Sequence, residues 1–337
     1  MRTANTALAM ALAFLLTATA AAQVIEEWVV RYDGPGAPPG NNPDWAYALT
    51  TDDAGNVYVT GGSFVDGTDD DCTTIKYGPD GSVIWVNRYH YFEEDWGYAI
   101  AVDADGSVYV TGLSSSPSNG YDYITIKYDA DGTRQWVSRF DGAGQDNDAA
   151  YAICVDASGN VYVSGKSQSV PYSSDSDYVT IKYASDGTEL WTAAYDGPVH
   201  GDDRAHAMTI DNAGNVYVTG GSENSLGAMD FATVKYDAAG SELWIVRRDG
   251  LFDTFGGGWD IALDSAGDVL VLGRSDVAGT DHDFETIKYD AAGIELWSVI
   301  YDGPASGTDD ACTMVVDEFG SAYVTGRSTG ISTGFDY

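Results

Sequence analysis

Histidine and cysteine are nearly missing from this chain of 337 residues, which holds 4 of the first and 3 of the second. Zinc sites and thiol–disulfide motifs need those residues at short, fixed spacings, and no C-x-x-C or H-E-x-x-H occurs. An odd cysteine count cannot make a fully paired disulfide framework, so Cys72, Cys154 and Cys312 are expected as unpaired, mostly buried thiols. Basic residues are scarce as well: 16 Lys and Arg stand against 52 Asp and Glu, a net charge of −36. Nucleic acid and anionic lipid are repelled by such a surface. The acidity suits solubility in a salty or extracellular medium, and it also suits attraction of cations or of a basic partner. No G-x-S-x-G nucleophile elbow and no phosphate-binding glycine loop is present. Helical spacing of apolar residues is absent throughout, and no run approaches the roughly 20 apolar residues of a membrane-spanning helix.

What is present is a phrase written six times. An Asp, a tight turn, a Gly and a short apolar strand recur at Asp52–Gly61, Asp103–Gly112, Asp156–Gly165, Asp211–Gly220, Asp264–Gly273 and Asp317–Gly326. Trp28, Trp85, Trp136, Trp191, Trp244 and Trp297 keep the same beat, at intervals of 51 to 57 residues. Each unit reads as four strands: an apolar run ending in Asp, then VYVTG, then a DYxTIKY-type strand, then the tryptophan strand. Four strands per unit, repeated six times, predict an all-β fold, a β-propeller of about six four-stranded blades. The strand at Val24–Arg31 carries the tryptophan signature ahead of the first unit. It is expected to close the last blade, which is left incomplete where Gly334-Phe335-Asp336-Tyr337 begins a third strand. A monomer within a longer polypeptide is the expectation.

The first 22 residues form a separate segment. Arg2, the apolar run Ala7–Leu16 and the small residues Ala20-Ala21-Ala22 have the order of a secretory signal peptide cleaved before Gln23. Residues 23–337 are then a single propeller domain, secreted to the periplasm, cell surface or medium, without membrane insertion.

The D-x-x-G turns within each unit are structural, because Asp accepts backbone N–H groups and Gly supplies positive φ. The long, variable connections lie together at the other end of each blade and form the candidate functional face. On that face Asp44, Asp95, Asp148, Asp203 and Asp309 stand eight residues before the terminal Asp of the first strand, with Gly256 as the exception. Two readings stay open. Each Asp caps its own loop, or the set forms a carboxylate ring at the mouth of the central channel, which calcium at Asp95, Asp148 and Asp203 would relieve. With Trp45, Trp96 and Tyr98 these residues are the candidate surface for a carbohydrate, protein or peptide ligand. Tyr47, Tyr98, Tyr151, His206, Trp259 and Cys312 occupy one position of the first strand and are expected to share a packing side with the apolar residues after them. The repeated lysines are expected to pair across the sheet, Lys182 with Glu189, Lys235 with Glu242 and Lys288 with Glu295. Repeat symmetry breaks most at Leu251–Asp260, where glycine and aromatics replace an acidic loop.

Through AIAVDADGSVYVTGLS at Ala99–Ser114 and its siblings, residues 24–337 resemble the bacterial secreted β-propeller repeats called SBBP. The resemblance implies a secreted propeller and leaves its ligand open. KYDAAGSELW at Lys235–Trp244 and KYDAAGIELW at Lys288–Trp297 are also similar to the tryptophan-docking repeats of quinoprotein dehydrogenases, though one residue shorter between Asp and Gly. A binding scaffold with an acidic long-loop face is therefore the first functional expectation. An exported propeller enzyme, polysaccharide-active or quinone-dependent, is the second.

Overall fold

The computed structural model describes residues 27–35, 43–117, 120–144, 147–168, 175–248, 256–276, 282–305, 307–331 and 334–336. The expected signal segment 1–22 lies outside them, as does the 251–255 part of the symmetry break. The described chain is all-β. Five four-stranded antiparallel sheets and one three-stranded sheet follow one another, each with its strands in chain order. They are the blades: Asp44–Tyr89, Asp95–Phe140, Ala149–Tyr195, Asp203–Arg248, Gly257–Tyr301 and Asp310–Asp336. The first strands of successive blades pack on one another, which places them around the propeller axis. No helix among the described residues is long and apolar enough to cross a membrane.

Each sheet exposes two apolar faces, and the core is made between blades. Tyr162, Tyr178 and Tyr195 of blade 3 pack with Met208, Val216 and Val234 of blade 4. Val108, Val110 and Ile126 of blade 2 meet Tyr58, Cys72 and Tyr89 of blade 1. The β-branched residues of the second and third strands fit this pleated, two-sided burial.

The outer edge of each seam is held by a pair of donors on one acceptor. Trp85 Nε1 and Lys76 Nζ both donate to the Ala130 carbonyl in the turn of the following blade, each at 3.3 Å. Trp136 and Lys127 converge on Ser185, Trp191 and Lys182 on Ala238, and Trp244 and Lys235 on Ala291, all at 3.1–3.3 Å. Each indole also lies over the turn glycine; a Cβ on Gly240 would stand 2.7 Å from the Trp191 ring. The lysines cross a tyrosine face on the way, with Lys182 Nζ 4.8 Å from the Tyr162 centroid.

This arrangement corrects the expected lysine–glutamate pairs. A bulge between Lys182 and Tyr183 sets Lys182 opposite Trp191 and Tyr183 opposite Glu189, and the same slip recurs at Lys235 and Lys288. The lysines thus turn inward to the seam. Lys288 instead pairs with Asp264 and Asp268, at 2.7 and 3.0 Å.

The expected closure of the last blade differs from what is seen. Blade 6 has three strands, the last of them Gly334–Asp336, and the N-terminal strand is not among them. Trp28 packs on blade 1 as a preceding blade's tryptophan would: its Nε1 donates to Pro79 O at 3.0 Å and its ring lies 6.1 Å from Tyr77. The docking half of a closing strand is made and the pairing half is not. Leu49 on blade 1 and Tyr323 on blade 6 accordingly stay exposed. The three thiols are free, with Cys72 buried and Cys154 half-buried; Cys312 is exposed, against expectation.

The donor pair supports a graded prediction. Trp191→Phe keeps a ring over Gly240 but loses one donor to Ala238, and should cost about 1 kcal/mol. Trp191→Ala removes the wedge and should cost about 3 kcal/mol. Urea denaturation of the two variants should rank them in that order.

Candidate functional site

Each first strand carries one residue too many. Tyr47, Tyr98, Tyr151, His206, Trp259 and Cys312 each fall in a register shift against the second strand, between Ala46 and Ala48 in blade 1 and between Ala205 and Ala207 in blade 4, for instance. A bulge leaves its extra residue unpaired and re-aims the side chain. It also pushes a carbonyl toward the facing strand. The glycine that ends each VTG is there to receive it: a Cβ on Gly61 would lie 1.7 Å from Trp45 O, one on Gly112 1.8 Å from Trp96 O, and one on Gly220 1.9 Å from Arg204 O.

The re-aimed residues meet ring to ring around the axis. Tyr47 stacks on Trp96 at 5.6 Å and meets Tyr98 edge-on at 5.1 Å. Tyr98 lies 5.5 Å from Tyr151, Tyr151 6.4 Å from His206, and His206 4.4 Å from Trp259. The side expected to pack with the following apolar residues is therefore a continuous aromatic arc across five blades. Burial pushes the Tyr98 and Tyr151 phenols up. Burial, then the positive charges of Arg204 and Arg274, lower His206 to about 4, so its imidazole is neutral at pH 7.

The arc ends in a cleft of about 290 Å³ between blades 4 and 5, bordered by Asp202, Arg204, His206, Glu223, Trp259 and Arg274. The symmetry break supplies its floor through Gly256 and Gly257. Arg274 lies 5.5 Å over the Trp259 ring and reaches Asp310 at 3.3 Å, while its buried Nε has no hydrogen-bond partner. Arg204 pairs with Asp202. Planar cations, carboxylates and ring faces thus converge at one place in an otherwise repetitive, acidic molecule.

Of the two open readings of the acidic position, capping is the one the structure shows, and the carboxylates do not line a ring. Asp95, Asp148, Asp203 and Asp309 are fully buried, each in the seam between its own blade and the one before, and Asp44 is half-buried. Each accepts from the loop leading into its strand: Gly34 N to Asp44 at 3.0 Å, Tyr91 N to Asp95 at 2.8 Å, Gly142 N to Asp148 at 2.6 Å, and Gly197 N to Asp203 and Gly303 N to Asp309 at 2.5 Å. Capping is what the geometry shows. Burial nonetheless pushes Asp148 and Asp203 up to about 6. Of the expected aromatics, Trp96 and Tyr98 join the arc. Trp45 stays on the open side of blade 1, in a cleft of about 500 Å³ shared with Trp28 and Tyr32. Tyr151, His206, Trp259, Arg204 and Arg274 belong to the site and were not among the expected ligand residues.

No family model matches the chain. An alignment 113 positions long, covering 29% of this chain, is 29% identical to the regulatory protein FlaEY of Caulobacter vibrioides and spans 12% of the length of that protein. Among solved structures, the fold is similar to an apocarotenoid oxygenase of Synechocystis, at 11% identity and TM-score 0.46 over 84% of this chain and 65% of that one. It is also similar to a eukaryotic initiation factor, at 12% and 0.43 over 77% and 55%. A puromycin hydrolase gives 12% and 0.44 over 84% and 42%.

Two outcomes are expected from this geometry. Gly220→Ala, which forces the bulge to move, should cost at least about 2 kcal/mol, whereas Gly267→Ala, with φ +81° and no atom within 4 Å, should cost about 1 kcal/mol. His206 has a folded pKa below its unfolded value. Its contribution is intact above about pH 6.5 and is lost as pH falls toward 4, by up to roughly 3 kcal/mol. Denaturant midpoints from pH 7 to pH 4 should therefore fall more steeply for the native chain than for His206→Gln; parallel curves would show that the imidazole does not titrate this way.

Proposed function

We propose that the chain is an exported β-propeller of the secreted-repeat kind that serves as a binding scaffold, and that its ligand is a carbohydrate held on the aromatic arc. The observation that carries this reading is the run of rings from Tyr47 to Trp259 ending in a cleft with Arg and carboxylate groups. Flat rings offer apolar faces to the C–H side of a sugar, while planar guanidinium groups donate to its hydroxyls and carboxylates accept from them. A site of mainly apolar surface with a few convergent polar groups is the usual make-up of a small-ligand pocket. Export is supported by the n-region, apolar run and small-residue site of residues 1–22.

The test is a glycan array followed by calorimetric titration of the retained sugar. Trp259→Ala should weaken binding about tenfold, the order of one lost ring contact. Trp45→Ala, outside the arc, should leave it unchanged. Absence of any retained glycan, or equal affinity in Trp259→Ala, would sink the carbohydrate reading. A mature N-terminus at Gln23 in protein collected outside the cytoplasm checks the export.

A further inference from the structure

Beyond the arc, the seams hold a second repeated feature, and we propose that three of them are calcium sites. In each, three carboxylates from three parts of the repeat converge: Asp122, Asp141 and Asp148 between blades 2 and 3, Asp177, Asp196 and Asp203 between blades 3 and 4, and Asp283, Asp302 and Asp309 between blades 5 and 6. One oxygen from each member of a set lies within 4.8 Å of the others. That spacing fits oxygens gathered around a calcium ion at about 2.4 Å, and an all-carboxylate set with room for further oxygens suits calcium's flexible shell. The first and third members are buried and the second is exposed, which gives the ion a route from solvent.

Acidic clusters are common on an acidic protein, and two further observations set these apart. Oδ1 of Asp122 is sealed from solvent without accepting a hydrogen bond, on a side chain that is more than nine-tenths buried. Its other oxygen is taken by Arg139 at 2.7 Å, so the free atom is the one left for an ion. A buried carboxylate oxygen with nothing to receive is costly unless a cation completes it. The seam between blades 1 and 2 supplies the second observation. There the exposed Asp of the other seams is replaced by His90, whose Nδ1 lies 3.2 Å from Asp71 and 3.7 Å from Asp95. The chain puts its own imidazole in the place an ion would take. The blade 4–5 seam lacks the entering Asp altogether, with Gly256 in its position.

Terbium, which replaces calcium and luminesces when excited through nearby tyrosine, is the probe. The full chain is first stripped with chelator and titrated at pH 7.5. Three ions per chain are expected, displaced by calcium, with a rise in melting temperature on the order of 5 °C in millimolar calcium. Asp196→Asn changes an exposed residue and should fold normally while binding two ions. His90→Asp restores the carboxylate triad in the first seam and should bind four. No terbium uptake by the folded chain, three ions retained in Asp196→Asn, or no added ion in His90→Asp would each overturn the proposal. None of these readings depends on whether a sugar binds the arc.

Discussion

Everything in this molecule depends on two donors meeting one carbonyl. An outer strand at the rim of a propeller has no sheet neighbour on its far side, and a blade cannot bury its faces alone. The tryptophan and the lysine of one blade settle both problems by reaching into the tight turn of the next. The carbonyl they share has two lone pairs, so both bonds are made without competition. The ring covers the turn glycine, which must be glycine on two counts: it takes positive φ, and any Cβ would strike the indole. The lysine is buried as cation over a tyrosine face, and the same contact fixes the tyrosine that caps the first turn Asp. Tyr162 thus donates to Asp156 at 3.1 Å while carrying Lys182 on its face. Strand, turn and seam are specified together, and the specification repeats from blade to blade.

The inner end of each blade follows a different constraint. There the first strand must tighten around the axis, and the bulge does this by adding one residue against the second strand. The glycine of VTG receives the displaced carbonyl. The bulged side chain is thereby re-aimed, so that a position holding Tyr, His and Trp packs ring to ring from blade to blade. One backbone irregularity, required for curvature, creates the surface available for ligand.

Most of the fold was legible in the sequence because repeats make local signals redundant. Six copies of D-x-x-G fixed the hairpins, and the Asp of that turn behaves as read: Asp211 accepts Ala213 N and Asn215 N at 2.9 Å and Tyr217 OH at 3.1 Å. What escaped was register. Period-two counting assumes an unbroken ladder, so it placed Lys182 opposite Glu189 and set Tyr98 on the same side as Ile100 and Val102. One inserted residue in each ladder reverses both assignments. The glycine after VYVT was the available signal, since a glycine inside a strand marks a bulge or a close approach of backbone. The buried carboxylates were found by position, but their partners in the third strand and after the tryptophan strand, Asp177 and Asp196 among them, come together only through the seam between blades, which no single repeat contains.

The two ends of the arc of blades show what the interblade seam is worth. Where a following blade is complete, Trp191 and Lys182 are engaged and Tyr236 beyond them is sealed. At blade 5, whose neighbour ends in a short third strand, Trp297 is exposed and Lys288 falls back on carboxylates of its own blade. The same sequence phrase, KYDAAG…ELW, therefore adopts two sets of contacts depending on what stands next to it. Identical local structure with different burial means that the strands and turns are set within a repeat, whereas the stability is set between repeats. The acidic seams follow that logic. A carboxylate placed for capping alone needs no partner from another blade, yet Asp203 closes a set with Asp177 and Asp196 of the preceding blade. The charge is placed where joining two blades brings it together, so its compensation and the assembly of the propeller are one event.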